Sequence, residues 1–270
     1  TVGGWSDEDM CGGPLPYTEV LHFGKSLGVP WIDMLDPRFA DQVTALAEKL
    51  VPPKAQDTLQ IGWFTDNELA WFSDTLFAFH IAEPAESVSR QRLIVLLREH
   101  YDNDFDRLTQ DFEPVDVADF EALAARGRLL IRPGGRGMQV ADRFLRLIAE
   151  HFYKTAHDAI RRYDKNHLIL GDRYHGFCPD PVVEAAGSYV DVISTNFDQP
   201  DWTDGALPAF YLERLHHLSG RPVLVTEYYL AARDNRSGNK NSGNIFTTVN
   251  TQDERAEALR ARLSMFASLP

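Results

Sequence analysis

Ile61-Gly-Trp-Phe-Thr-Asp-Asn-Glu-Leu69 begins as a short apolar run and ends in a cluster of polar side chains. Residues 59–64 have the length of a buried strand, and the polar cluster follows at its carboxyl end. A second stretch, Pro222-Val-Leu-Val-Thr-Glu-Tyr228, repeats the pattern and ends at Glu227. Carboxylates at the carboxyl ends of parallel strands are typical of the catalytic face of α/β barrels. The two stretches therefore predict an α/β fold with Glu68 and Glu227 at one edge of its sheet.

Strand and helix patterns alternate along the rest of the chain. Asp36-Pro37 predicts the start of a helix that runs to about Leu50. The longest periodic run predicts a helix over residues 137–163, because its apolar residues recur at every fourth position: Phe144, Ile148, Phe152, Ala156 and Ile160. Further helices are predicted after Ser87, after Asp180-Pro181, and over residues 207–218 and 252–266. The predicted strands are residues 1–5, 59–64, 167–171, 190–195 and 223–226.

The predicted strands are continuously apolar, which indicates a parallel sheet covered by helices. We count five strands rather than the eight of a closed barrel, which typically takes about 250 residues. Residues 71–136 are interpreted as an inserted helical segment. The sequence thus predicts a single domain over residues 1–270, built as an incomplete (β/α) TIM-type barrel with surrounding helices.

Composition excludes several classes of partner and cofactor. The 27 basic and 40 acidic residues give a net charge of −13, which argues against a nucleic-acid partner. No apolar stretch approaches the roughly 20 residues that a membrane span needs, so we expect no membrane partner. Cys11 and Cys178 are expected to be free thiols, and neither a metal nor an organic cofactor is expected. The start Thr1-Val-Gly-Gly4 lacks a signal-peptide pattern, and no compartment is indicated.

Two carboxylates at one edge of a sheet supply what acid/base hydrolysis of a glycosidic bond requires. Each glutamate alone is also consistent with a solvated loop carboxylate or with a salt bridge to Arg173. Arg173, His175 and Asn196 follow two further predicted strands and should face the same edge. Arg173 is expected to orient a carboxylate, to contact sugar, or to form a structural salt bridge. His175 is expected to form hydrogen bonds rather than to bind a metal.

Other side chains are candidates for binding a sugar. Asn67, beside Glu68, is interpreted as a ligand-binding residue, with an Asx turn as the alternative. Four tryptophans are candidates for stacking on sugar rings, namely Trp5, Trp63, Trp71 and Trp202. Trp63 lies inside a predicted strand and is expected in the core, whereas Trp202 lies in a polar loop and is the strongest stacking candidate. The long polar loop 235–244 after Glu227 is expected to be functional.

Several of these segments resemble a known family. Glu68, preceded by Asn67, and the later Glu227 match the fourth-strand and seventh-strand glutamates of glycoside hydrolase clan A. Within that clan, three segments resemble glycoside hydrolase family 50, the β-agarase family: TVGGWSD (1–7), IGWFTDNELAW (61–71) and HLILGDR (167–173). Residues 251–255, TQDER, add to this resemblance.

The resemblance implies a retaining double displacement on β-galactosides or related β-glycosides. Glu68 would be the general acid/base and Glu227 the nucleophile, with their carboxyl groups about 5–5.5 Å apart. Asn67 would bind the sugar 2-hydroxyl. The other substrate-binding residues would be Trp5, Arg173, His175, Asn196, Trp202 and Tyr228.

The chain also departs from the clan pattern. Aligned on the clan, the chain lacks strands one, two and eight. It therefore also lacks the second-strand arginine and the eighth-strand aromatic residue of the clan. Phe197 stands in place of a sixth-strand tyrosine. One alternative is therefore a non-catalytic carbohydrate-binding relic of a truncated barrel; another, a metal-dependent hydrolase, lacks ligand spacing. The open sheet edges predict a homo-oligomer, a dimer or trimer that covers the open side, unless the inserted segment covers it within one chain.

Overall fold

The computed structural model describes residue 3 and residues 13–24, 33–196, 206–238 and 247–269. The side chains of residues 206–208 are outside this description. In chain order its strands are β1 (Tyr17–Val20), β2 (Gln60–Phe64), β3 (Phe112–Val115), β4 (Arg128–Ile131), β5 (Leu168–Ile169), β6 (Tyr174–His175), β7 (Ile193–Asn196), β8 (Val223–Glu227), β9 (Ala231–Ala232) and β10 (Thr248–Val249). Its helices are α1 (Pro37–Leu50), α2 (Ser73–Ile81), α3 (Val88–His100), α4 (Phe105–Asp111), α5 (Phe120–Ala125), α6 (Gly137–Tyr163), α7 (Asp180–Ala186), α8 (Ala206–Ser219) and α9 (Gln252–Ser268).

Two three-stranded parallel sheets form the centre of the fold. Strand β2 lies between β1 and β5, and β7 lies between β6 and β8. Residues 168–175 join the two sheets, because Ile169 O accepts hydrogen bonds from the backbone of Asp191 and Val192 at 2.9 and 3.2 Å. The spatial order of these strands therefore follows the chain order. The pairings confirm the predicted parallel arrangement.

Local capping explains where two predicted helices begin. The Asp36 side chain accepts a hydrogen bond from the Arg38 backbone at 2.8 Å, and Pro37 is the first residue of α1. The Ser87 hydroxyl accepts from the Arg90 backbone at 3.2 Å at the start of α3. Both side chains satisfy backbone N–H groups that a helix start leaves without an intrahelical partner.

Helix α6 is the main apolar support of the sheets. All five residues of its predicted apolar stripe are buried, and the helix packs against α1, α2 and α7. Full burial of each large apolar side chain contributes roughly 1.5–3 kcal/mol. The stripe therefore fixes the helical layer on which β2 and β5 lie.

The structure corrects some of the predicted elements. Strand β1 was not predicted, because its sequence Tyr-Thr-Glu-Val is not a continuous apolar run, and the predicted strand 1–5 lies outside the described residues except for Gly3. Residues 71–136 are not purely helical: β3 and β4 form an antiparallel pair, with α5 in the connection between them. Strand β5 is shorter than predicted, since Gly171 and Arg173 both adopt a positive φ and interrupt it. Within the described residues, no helix is long and apolar enough to cross a membrane.

Asp164 ties the end of α6 to β2. Its carboxylate is buried and accepts hydrogen bonds from the Trp63 indole at 2.8 Å and from the backbone of Asn166 and His167 at 2.9 and 3.0 Å. The His167 ring lies 2.6 Å away. Burial would raise the pKa of Asp164, but these hydrogen bonds outweigh it and lower the pKa from its ordinary value.

Replacing this carboxylate should destabilise the fold. We expect Asp164→Asn to lower the free energy of unfolding by about 1–3 kcal/mol, because an amide nitrogen cannot accept the hydrogen bonds it would meet. Urea denaturation measures the change. The matched control is Asp158→Asn in the same helix: Asp158 is half exposed, and its contacts with Lys154 and His157 should contribute less than about 0.5 kcal/mol. Equal losses in the two variants would contradict the role of Asp164.

Candidate active site

Five of the predicted site residues come together at the carboxyl ends of the parallel strands. The Asn196 amide donates a hydrogen bond to Glu68 Oε1 at 2.7 Å, and His175 Nδ1 lies 3.5 Å from the same oxygen. The Arg173 guanidinium donates to Glu227 Oε1. Each of the two glutamates is therefore held by polar side chains from the neighbouring strand ends.

Asn196 connects the two halves of this cluster. It is buried at the end of β7 and lies opposite Glu227 in the register with β8. The Thr226 hydroxyl is a donor 2.6 Å from Asn196 Oδ1, which leaves the amide nitrogen to face Glu68. The orientation of the amide is thus fixed by its neighbours.

Arg173 places a buried positive charge between the glutamates. Only 5% of its side chain is exposed, and its guanidinium lies 5.3 Å from the centre of the Phe64 ring. Burial lowers the pKa of Arg173 from its ordinary value, while the carboxylates of Glu227 and Glu68 oppose that shift. The guanidinium nevertheless stays charged, because an arginine is not deprotonated in proteins.

The backbone is strained at the ends of three neighbouring strand segments. His22 follows β1, Glu68 follows β2, and Arg173 precedes β6; their φ angles are 55°, 55° and 54°. This left-handed conformation costs a non-glycine residue about 1–2 kcal/mol and is concentrated at functional sites. Backbone hydrogen bonds hold it in place, including Glu68 N to Asp172 O at 3.0 Å. Three of the six non-glycine residues with a positive φ in the described part of the chain therefore lie in or beside the polar cluster.

Asp66 fixes the chain on the amino-terminal side of Glu68. Its fully buried carboxylate accepts hydrogen bonds from the backbone of Gly24 and, at 2.7 Å, of Asn67. His22 Nδ1 lies 3.8 Å from the same carboxylate. The Asn67 side-chain oxygen is buried and accepts no hydrogen bond from the described residues. Sequence reasoning missed both Asp66 and His22, although each lies within two residues of a strand end.

A second buried carboxyl group lies beneath the site. Asp172 accepts hydrogen bonds from the Trp71 indole at 2.7 Å and from the Tyr153 hydroxyl at 2.8 Å. Burial raises the pKa of Asp172 from 3.8 to about 7; these two hydrogen bonds oppose the shift, and the charge of Asp66 adds to it. The sequence analysis assigned no role to this residue.

The predicted aromatic binding residues differ in where the structure places them. Trp63 is buried in the core, as expected. Trp71, another of the stacking candidates, is 4% exposed and packs on Phe152 and Tyr153, with ring centres 5.7 and 6.1 Å away. Tyr228 follows Glu227, but its ring packs edge-on against Phe266 of α9 at 5.6 Å. Three further residues of the sequence analysis lie outside the described residues: Trp5, Phe197 and Trp202.

A protein site for a metal ion would need several ligating side chains close together in the described part of the chain. In that part of the chain, no group of three or more His, Cys, Asp or Glu residues has an arrangement that could hold a metal ion. Cys178 is a free thiol, and Cys11 is not among the described residues. The polar cluster therefore offers a ligand four kinds of group: carboxylates, amides, one guanidinium and one imidazole.

One curated protein is similar in sequence. β-Agarase A of Vibrio sp. (strain JT0107) is 25% identical over 289 aligned residues, which include 96% of this chain and 28% of that protein. No family model matches the chain. The chain thus spans little more than a quarter of the length of this relative.

Several solved structures share the fold. The agarase AgWH50C has a TM-score of 0.76 and 20% identity, over 98% of this chain and 38% of its own. An exo-β-agarase has a TM-score of 0.77 and 19% identity, over 98% of this chain and 37% of its own. A β-galactosidase from Bacillus circulans sp. alkalophilus has a TM-score of 0.56 and 12% identity, over 96% of this chain and 46% of its own. The chain therefore has the fold of a part, less than half, of each of these proteins.

The buried Asp172 should make stability depend on pH. Between pH of about 4 and 7 the folded state keeps a proton that the unfolded state loses, so the contribution of Asp172 to stability falls as pH rises through that window. We expect the free energy of unfolding of the wild type, minus that of Asp172→Asn, to fall by roughly 2–3 kcal/mol from pH 5 to pH 8.

Urea denaturation at the two pH values measures this difference. Asp36→Asn is the matched control, because the pKa of Asp36 is lowered by its hydrogen bonds with Arg38, whose charge does not change in this range, and its contribution is lost only at pH values below that window. Its difference from the wild type should be the same at pH 5 and pH 8. A difference for Asp172→Asn that does not change with pH would show that this carboxyl does not titrate in the window.

Proposed function

We propose that the chain carries the catalytic centre of a retaining β-glycoside hydrolase that acts on β-galactosides or related β-glycosides. The observation that carries the proposal is the placement of Glu68 and Glu227 in one polar cluster at the ends of β2 and β8. There Asn196, which lies opposite Glu227 in the strand register, donates to Glu68, and Arg173 donates to Glu227. Similarity to β-agarase A and the fold shared with agarases and a β-galactosidase support an agarase-like ancestry.

The unlike partners of the two glutamates support unlike roles. Glu227 contacts a guanidinium, which stabilises a negative charge, whereas Glu68 accepts a hydrogen bond from a neutral amide. We therefore assign the nucleophile to Glu227 and the general acid/base to Glu68. Since Glu68 Oε1 accepts the Asn196 hydrogen bond, the acidic proton belongs on Oε2.

The proposed reaction has two displacements. Glu68 protonates the glycosidic oxygen while a Glu227 oxygen attacks the anomeric carbon, so that the bond to the leaving group breaks and a glycosyl ester forms on Glu227. Glu68, now ionised, then takes a proton from water as the water oxygen attacks the same carbon. The ester bond breaks, and both glutamates return to their starting states.

Neighbouring side chains are proposed to position the sugar. The buried Asn67 side chain binds the 2-hydroxyl next to the anomeric carbon. His175, with 58% of its side chain exposed, contacts a hydroxyl on the solvent side of Glu68. Trp5, Trp202 and Tyr228 remain proposed contacts with more distant sugar units. No metal or organic cofactor takes part in the proposed mechanism.

We also propose that residues 1–270 form one domain, an incomplete (β/α) barrel in which residues 71–136 are an insertion. The parallel strands follow the chain order in both sheets, β1-β2-β5 and β6-β7-β8, and the antiparallel pair β3–β4 lies in the insertion. This order supports the arrangement. In a closed barrel, each edge strand would pair on its second side as well.

The two glutamates should be essential for hydrolysis. We expect Glu68→Gln and Glu227→Gln each to lower kcat/KM for a chromogenic β-galactoside by at least about 100-fold, because an amide neither transfers the proton nor attacks carbon. Circular dichroism should show an unchanged fold. Glu213→Gln, at an exposed position of α8, is the matched control and should keep full activity.

Chemical rescue separates the two roles. With Glu227→Gly, azide or formate should restore cleavage of an activated substrate, because a small anion replaces the missing nucleophile. Proton NMR of the first product released by the wild type should show retained anomeric configuration. Full activity of either glutamine variant would contradict the mechanism, and a wild type that binds but does not cleave glycosides would favour the carbohydrate-binding alternative.

A homo-oligomer, a dimer or trimer that covers the open side of the sheets, is the expected assembly. In the described part of the chain, β1 and β8 each pair on one side only, and Leu224 of β8 is 39% exposed. Edges of this kind favour association. Light scattering at micromolar concentration should give a multiple of 30.5 kDa, and a monomeric mass would contradict the proposal.

A further inference from the structure

A small cavity opens beside Glu68. It has a volume of about 200 Å³, and its lining includes Glu68, Phe72, His175, Phe177 and Cys178. Sites that bury drug-sized ligands have volumes of roughly 300–1,000 Å³, so this cavity suits a single ring. Glu227 is not among its lining residues.

Two exposed phenylalanines form the rim of this cavity. Phe72 is 56% exposed and Phe177 is 52% exposed, although large apolar side chains are more stable in a core. Phe72 is also the N-cap residue of α2 and makes no side-chain capping hydrogen bond there. Ser, Thr, Asp and Asn are preferred at that position. The helix therefore gains no side-chain capping hydrogen bond from Phe72.

Local contacts fix the backbone at Phe72 and the ring of Phe177. The Trp71 and Phe72 backbones donate to the carbonyls of Leu69 and Ala70, both at 3.0 Å, so the chain from Glu68 to Phe72 is tightly turned. The Phe177 ring packs edge-on against Tyr211 with ring centres 4.8 Å apart. Desolvation raises the pKa of the Cys178 thiol, so the floor of the cavity is uncharged at neutral pH.

We propose that this cavity is the subsite for the leaving group, and that Phe72 and Phe177 select leaving groups that contain a ring with an apolar face. The inference rests on the proposed function, because a general acid must lie beside the oxygen that it protonates. The leaving group therefore lies on the Glu68 side, and the ring that stays on Glu227 lies on the Arg173 side. A sugar ring and an aryl group share the chemistry that two phenylalanines recognise.

Binding of glycosides that resist hydrolysis tests the subsite without turnover. The probes are phenyl, galactosyl and methyl 1-thio-β-galactosides, which share one sugar and differ in the leaving group. The wild type should bind at least one ring-bearing probe more tightly than the methyl probe. The variant F72A/F177A should weaken that binding by about 10-fold and leave the methyl probe within about 2-fold.

The matched control is Phe210→Ala, because Phe210 is also a phenylalanine, 55% exposed, but lies on α8 outside the cavity lining. It should bind all three probes as the wild type does. Circular dichroism should show that all variants are folded, as expected for side chains more than half exposed. A preference for the galactosyl probe identifies a sugar leaving group, and one for the phenyl probe an aryl leaving group.

Two results would overturn the subsite: ring-bearing probes that bind the wild type no better than the methyl probe, or equal weakening of all probes in F72A/F177A. A turnover assay on the corresponding oxygen-linked galactosides then separates the two proposals. If the binding difference is found but the wild type cleaves none of them, the hydrolase proposal fails while the subsite stands. If cleavage is found without the binding difference, only the subsite proposal fails.

Discussion

The backbone turn at Gly171, Asp172 and Arg173 determines where both glutamates lie. Asp172 O accepts the Glu68 N–H, its carboxyl accepts the Trp71 indole, and the next residue, Arg173, donates to Glu227. The same three residues, with Leu170, join β5 to β6 and thereby join the two parallel sheets. Because one turn serves both purposes, a shift between the sheets would also change the distance between the carboxylates.

This turn and the neighbouring Asp66 place polar side chains in the interior, where apolar side chains would be more stable. Asp66, Asp172 and Arg173 are almost fully buried, and ionised groups are destabilised by the loss of water. Hydrogen bonds to these side chains reduce the free-energy cost of burying them, and burial of the apolar stripe of α6 opposes the cost that is left. Tyr153 of α6 serves both functions, since its ring packs against Trp71 and its hydroxyl donates to Asp172. The helical layer therefore supports the strained backbone as well as the sheet.

The sequence predicted the features that depend on neighbours close in the chain. Caps and periodic stripes are local, so α1 and α6 were predicted with nearly correct bounds and α3 with its correct start. The strand ends that precede Glu68 and carry Glu227 were also predicted to within one residue. Features that depend on distant partners were missed. Strand β1 is defined by pairing with β2, and the Tyr17 hydroxyl donates to Asp57 at 2.7 Å. The burial of Trp71 depends on aromatic rings of α6 about eighty residues away. Asp172 in turn depends on Trp71, whose indole donates a hydrogen bond to its carboxyl group.

The two sides of the polar cluster are built from different parts of the chain. The Glu227 side depends on β8, the buried guanidinium of Arg173 and the register with Asn196, so a substitution there changes charge or strand pairing. The Glu68 side ends in Phe72 and Phe177, which are more than half exposed and lie outside the parallel strands. Exposed side chains tolerate substitution better than buried charged ones, because fewer contacts are lost. Selection of the leaving group can therefore change at these two positions while the charged side of the cluster stays intact.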